Sequence, residues 1–147
     1  MKASVTPGRP DDMLERLRTA TNAHDLEALV DCFAQDYLNE TPAHPSRGFQ
    51  GTEQVRRNWA QIFAAVPDIH ANVIRHVVDG EAVWSEWEMR GTRRDGAVHA
   101  MGGVIIFGVR DGRASWARFY LEPLQDTGEH VNEAVRRAVS PNSQEEQ

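Results

Sequence analysis

Apolar positions recur at intervals of three and four through the first half of the chain, then crowd into β-prone runs broken by Asp-Gly pairs. Leu14, Leu17, Thr21 and His24 keep one face of a predicted helix that starts at Asp11 or Asp12. There Asp12 and Glu15 resemble a capping box in which Asp replaces Ser or Thr. Leu26, Leu29, Val30 and Phe33 define the inward face of a second helix from Asp25 to about Gln35. The stretch Asn39–Gly51 holds two prolines and two glycines and reads as a loop. Thr52 starts a third helix that turns Val55, Trp59, Ile62 and Phe63 inward and ends near Val66, before Pro67.

Beyond Pro67 the period changes. Ile69–Val78, Ala82–Arg90, Val98–Val109 and Ala114–Leu121 are rich in Val, Ile, Phe and Trp, and Asp79-Gly80, Asp95-Gly96 and Asp111-Gly112 separate them. Asp-Gly between such runs is a strong hairpin signal. Three helices followed by a four-stranded antiparallel meander give an α+β order rather than alternating βαβ units. Residues 1–10 form a flexible lead-in, residues 11–125 one domain, and residues 126–147 a tail. In that tail His130–Val139 has the pattern of a short amphipathic helix, and the last eight residues read as disordered.

Composition narrows the function classes. The 147 residues match the usual size of one domain, enough for a core and one pocket. Sixteen Lys plus Arg against 22 Asp plus Glu leave a net charge of −6, which argues against a binder of the nucleic-acid backbone. The single cysteine, Cys32, excludes an internal disulfide and a Cys-based zinc site, and it reads as a buried, inert thiol. No HExxH or similar ligand spacing appears among the histidines, so neither a metal nor another cofactor is expected. No apolar run reaches the roughly 20 residues that cross a bilayer, and the N-terminus lacks an apolar signal core. The expectation is a cytoplasmic protein with no membrane or nucleic-acid partner.

Strand parity sorts the candidate chemistry. Trp116, Arg118, Tyr120 and Glu122 share one face of the last run, and Trp84, Glu86, Glu88 and Arg90 share one face of the second. Parity does not say which face is the inner one. The order of the pieces NAHDLEALVDCFAQDY (22–37), ETPAHPSRGFQGTEQVRRNW (40–59), PDIHANV (67–73), VWSEWEMRGT (83–92) and DGRASWARFYLEP (111–123) resembles the SnoaL-like branch of the nuclear transport factor 2-like superfamily. The resemblance spans about residues 12–124. It implies a cone-shaped α+β barrel, a curved and mostly antiparallel sheet wrapped around N-terminal helices. It also implies a deep pocket for a small hydrophobic or aromatic molecule, and a homodimer formed through the outer face of the sheet. Polyketide cyclases, ketosteroid isomerases and limonene epoxide hydrolase are among the relatives, as are non-catalytic binding proteins. The cyclases place an acid/base carboxylate near the end of the last strand. Glu122 sits at the matching place, with Glu where Asp is usual.

The candidate set follows. A carboxyl in an apolar pocket has its pKa raised, which suits Glu122 to proton exchange near neutral pH. Arg118 lies roughly 13 Å from it along a straight strand, too far for direct pairing. Arg118 either pairs with Glu86 or Glu88 on a neighbouring strand or clamps an oxyanion. His44, in the loop, has the reach of a base at a pocket mouth. Tyr120, Trp59, Trp87, Glu86, Glu88 and His99 complete the expected ligand contacts. The reading is an enzyme of cofactor-free acid/base chemistry, cyclising, isomerising or dehydrating a hydrophobic carbonyl compound. The alternative is a non-catalytic ligand-binding or dimerisation module, since fold alone does not fix function.

Overall fold

The computed structural model describes residues 8–125 and 128–141, so most of the lead-in and of the last eight residues lies outside the described residues. Helix α1 spans Pro10–Ala23. Pro10 at its first turn is pre-set for helix, while the Arg9 backbone N–H donates to the Asp12 carboxylate at 2.9 Å. Asp12 is therefore the third helical residue of the cap and not its first, which moves the predicted cap three residues upstream. Met13, Leu14, Leu17, Ala20 and Thr21 form the buried stripe, and His24 ends the helix in the left-handed region.

Helix α2 is only Leu26–Val30, capped where the Asp25 carboxylate accepts from the Ala28 N–H. The chain then extends as strand β1, Phe33–Glu40, which corrects the longer second helix expected from the 26/29/30/33 spacing. Four apolar residues at helical spacing satisfied the pattern, but Phe33 belongs to the strand that follows. A 3₁₀ turn, Pro45–Arg47, leads to strand β2, Phe49–Gln50, and helix α3 covers Thr52–Ala65. The remaining strands are β3 (His70–Asp79), β4 (Ala82–Thr92), β5 (Val98–Arg110) and β6 (Arg113–Pro123).

One six-stranded mixed sheet results, in the order β2-β1-β6-β5-β4-β3. The expected β3–β6 meander is present, and β1 extends it by pairing parallel to β6, with Leu38, Asn39 and Glu40 opposite Trp116, Ala117 and Arg118. The sheet is open rather than closed into a barrel, with β2 and β3 at its edges. Asp111 and Gly112 have φ of 53° and 78° in the β5–β6 turn, the geometry that favours an Asp-Gly hairpin. Helix α4, Val131–Val139, begins one residue after the expected start, and His130 caps it.

The core lies between the helices and one face of the sheet. Met13, Leu17 and Leu29 meet Tyr37, Val83, Trp87, Met89, Ile105, Phe107 and Ala117 there. Trp87 and Ser85 are buried together: the indole N–H donates to Ser85 Oγ at 2.8 Å, and that hydroxyl donates to the Ile105 carbonyl at 2.7 Å. A large aromatic thus enters the core without an orphaned polar atom.

Candidate functional site

The core-facing side of the sheet and helix α3 enclose a cavity of about 310 Å³, at the lower end of the usual size for small-molecule sites. Phe33, Phe49, Trp59, Ile62, Phe119 and Leu121 supply much of its apolar wall. Its polar groups are Tyr37, Asn39, Thr41, Arg47, Asn58 and His99. Each is placed by a simple rule. On β1, Tyr37 and Asn39 alternate inward while Leu38 points away, and on α3 Val55, Asn58, Trp59 and Ile62 fall on one face. His99 enters from the start of β5, paired across the ladder with Gly91.

Tyr37 anchors a short polar chain. Its hydroxyl donates to Asn39 Oδ1 at 2.7 Å, and Asn39 Nδ2 reaches Thr41 Oγ1 at 3.5 Å. Burial holds the Tyr37 hydroxyl neutral, well above its ordinary range. An amide carries two N–H donors, so Asn39 retains one for a carbonyl oxygen in the cavity. Asn58 Oδ1 is occupied by the Gln54 amide at 2.8 Å, which turns its own amide N–H groups free. Among the described residues, neither the Arg47 guanidinium nor the His99 ring has a hydrogen-bond or ion-pair partner. Among the described residues no Asp or Glu lines the cavity.

The expected site residues divide between two faces. Trp59 and His99 line the cavity, and Trp87 packs beneath it beside Trp59 and Phe119. Arg118, Tyr120, Glu122, Glu86 and Glu88 belong to the other face, because Phe119 and Leu121 take the inward positions of β6 and Trp87 and Met89 those of β4. On that outer face His44 Nε2 contacts both Glu122 oxygens, at 3.1 and 3.3 Å. The two residues meet across 78 positions of sequence, although neither reaches the cavity lining.

Arg118 pairs with neither Glu86 nor Glu88. It donates to Glu40 Oε1 at 2.9 Å and to the Tyr120 hydroxyl at 3.3 Å, and its side chain is 41% exposed rather than buried. The reason is topological: β1 lies beside β6 and brings Glu40 directly opposite Arg118, whereas β5 separates β6 from β4. Glu86 pairs instead with Arg75 at 2.9 Å and Glu88 with Arg90 at 3.2 Å. Cys32 is buried just before β1, and burial pushes its thiol up to about 11, as expected of an inert cysteine.

A wider concavity of about 740 Å³ opens between α2, β1 and the β5–β6 turn. Its arginines are already matched: Arg56 with Glu27, Arg110 with Asp36 at 2.6 Å, and Arg113 with Asp31 at 2.8 Å. Charge neutralised within the wall leaves little for a ligand, so the smaller apolar cavity is the better site.

The expected helix to about Gln35 and the expected loop from Asn39 left no strand between them, which hides Tyr37 and Asn39, and the loop assignment passes over Arg47. The alternation in Tyr37-Leu38-Asn39-Glu40 was the available signal for the first pair.

The SnoaL-like domain family matches residues 14–117. Among solved structures, the chain is similar to IdmH of Streptomyces antibioticus, a candidate polyketide cyclase. That match has 26% identity, covers 78% of this chain and 92% of that one, and has a TM-score of 0.68. An LEH-like epoxide hydrolase of M. tuberculosis shares the fold at 18% identity, covering 77% and 82% with a TM-score of 0.66. So does a Catenulispora acidiphila protein of ketosteroid isomerase-like fold, at 18% identity, 77% and 87% coverage and a TM-score of 0.63. No protein of curated function matches the chain significantly. Among the described residues no helix is long and apolar enough to cross a membrane.

Proposed function

Since the chain belongs to the SnoaL-like family, we propose that it is a small-molecule enzyme that performs cofactor-free acid/base chemistry on a hydrophobic carbonyl compound. The observation that carries this reading is the apolar cavity with Asn39 and His99 in one wall set. The resemblance to IdmH favours cyclisation over the other reactions this chemistry allows.

In the proposed reaction the substrate carbonyl oxygen accepts a hydrogen bond from Asn39 Nδ2. An open nitrogen of His99 takes the α-proton; the C–H pair moves into the C=C of an enolate, and the carbonyl oxygen takes the negative charge. The Tyr37 hydroxyl orients Asn39 and, being neutral and buried, contributes a fixed dipole rather than a proton. The enolate carbon then attacks a second carbonyl, expels a β-leaving group, or recovers the proton from His99 at another carbon. These outcomes are cyclisation, dehydration and isomerisation. Glu122 and His44 form the rival acid/base pair, and Arg118 its companion, on the other sheet face.

A cavity lining without a carboxylate among the described residues favours a second reading, a binding module without turnover. Exchange of α-protons of an aryl ketone into deuterium oxide, followed by NMR, separates the possibilities. His99→Gln is expected to lower exchange by about 100-fold with the fold intact. Loss in Glu122→Gln with His99→Gln active would return the acid/base role to Glu122. Binding without exchange in the wild type would establish the module.

The same proposal includes a homodimer. Leu38, Val77, Trp84 and Tyr120 are all exposed on the outer sheet face, between 40% and 61%, an apolar patch that a second copy of the same face would cover. Light scattering should give twice 16.5 kDa, and Trp84→Glu should return it to 16.5 kDa. A wild-type mass of 16.5 kDa would remove the dimer.

A further inference from the structure

We infer that the cavity takes an organic acid: a hydrophobic or aromatic molecule carrying a carboxylate or comparably delocalised oxyanion, held by Arg47. This rests on the cavity being the small-molecule site, and it adds the charge class of the occupant.

Among the described residues Arg16, Arg47, Arg57, Arg94 and Arg136 have no acidic partner, and of these Arg47 alone lines the cavity. The arginines of the charged concavity beside α2 are all taken, and so is Arg118 on the outer face. Arg47 is exposed to solvent where it lines the apolar cavity, so its guanidinium is free to meet a ligand's anion. Among the described residues the lining contains no Asp or Glu, and Arg47 is the one lining side chain there with a permanent positive charge, so the described wall does not neutralise it. His99, the remaining ionisable base in the lining, adds to the same sign when protonated.

The backbone fixes where the Arg47 side chain leaves the loop. Pro45 opens the 3₁₀ turn, the Arg47 N–H donates to the His44 carbonyl at 2.9 Å, and the Gly48 N–H donates to the Pro45 carbonyl at 3.2 Å. Gly48 lies against the end of β1: a Cβ there would stand 3.2 Å from the Asn39 carbonyl oxygen. Arg47 is thereby anchored next to the strand that supplies Asn39. A guanidinium recognises a carboxylate through two parallel N–H···O bonds, while the aromatic wall of Phe49, Trp59 and Phe119 accepts the rest of the molecule.

Calorimetric titration of the full chain with 2-naphthoate and 2-naphthamide tests the inference, because the two probes differ in charge and share a ring system. The wild type should bind the acid about tenfold tighter than the amide. Arg47→Gln should bind both alike while keeping the affinity for the amide, and Arg47→Lys should restore part of the preference. Equal binding of both probes by the wild type overturns the anion inference and leaves the cavity reading standing. A preference that survives Arg47→Gln also overturns it. If neither probe binds the wild type, the cavity reading itself is overturned and the inference with it.

Discussion

Tyr37→Phe isolates the polar chain on which the site is built. Tyr37 is 1% exposed and its ring packs edge-on against Phe33, with centroids 4.8 Å apart, and against Phe49 at 6.0 Å. Phenylalanine preserves those contacts and deletes only the hydroxyl that donates to Asn39 Oδ1. Asn39 is 7% exposed, so its oxygen loses a donor in a place with little water. The cost of leaving a buried acceptor unsatisfied is about 1–3 kcal/mol. For a chain of this size that lowers Tm by about 2–10 °C, measured by circular dichroism and cross-checked by urea unfolding. Asn39→Leu in the same background should couple to Tyr37→Phe by about 1 kcal/mol, because either change breaks the same bond. The pH profile gives a second readout. Burial favours the neutral phenol in the folded chain, so its contribution is whole below pH 10.0 and is lost as pH rises above it. Tyr37→Phe should flatten that alkaline loss. A stability change below about 0.3 kcal/mol, with additive double-mutant behaviour, would refute the buried Tyr37–Asn39 bond as a determinant of the site.

Three further outcomes follow from the same structure. The folded Cys32 thiol sits near 11 against 9.0 in the unfolded chain, so stability should fall by about 2–3 kcal/mol as pH rises across that window. Cys32→Ala should remove this component from pH-dependent urea curves. Ser85→Ala orphans the buried Trp87 indole N–H and should cost about 1–3 kcal/mol in urea unfolding. In Gly108→Ala the added Cβ would lie 1.8 Å from Trp116 Nε1, so the indole must leave the strand. Differential scanning calorimetry should register a loss of about 1–3 kcal/mol.

The hairpins were legible because Asp-Gly turns and β-branched runs carry local signals, and the three breaks at 79–80, 95–96 and 111–112 each join two strands of the sheet. Strand β1 was not, since its register shifts between Phe33 and Leu38 and its inward pattern is broken there. That one strand changes the site. It brings Glu40 to Arg118 and supplies Tyr37 and Asn39 to the cavity. Parity correctly grouped Arg118, Tyr120 and Glu122 together, but a period of two cannot distinguish the inner face from the outer. The inward set of β6, Ala117, Phe119 and Leu121, is wholly apolar and packs on the core, which leaves the alternate set with Arg118 and Glu122 outside. The His44–Glu122 contact depends on a loop and a strand 78 residues apart, beyond any local pattern.

The two tryptophan side chains Trp59 and Trp116 report from opposite sides of the sheet, one in the cavity and one on Gly108 of the outer face. Titrating the isotope-labelled protein with 2-acetylnaphthalene and following both indole N–H resonances therefore tests the location of the site most directly. The account predicts saturable shifts at the Trp59 indole and at the Asn39 and His99 amides, with Trp116 unmoved. Shifts at Trp116, His44 and Glu122 with Trp59 unmoved would place the site on the outer face and contradict it.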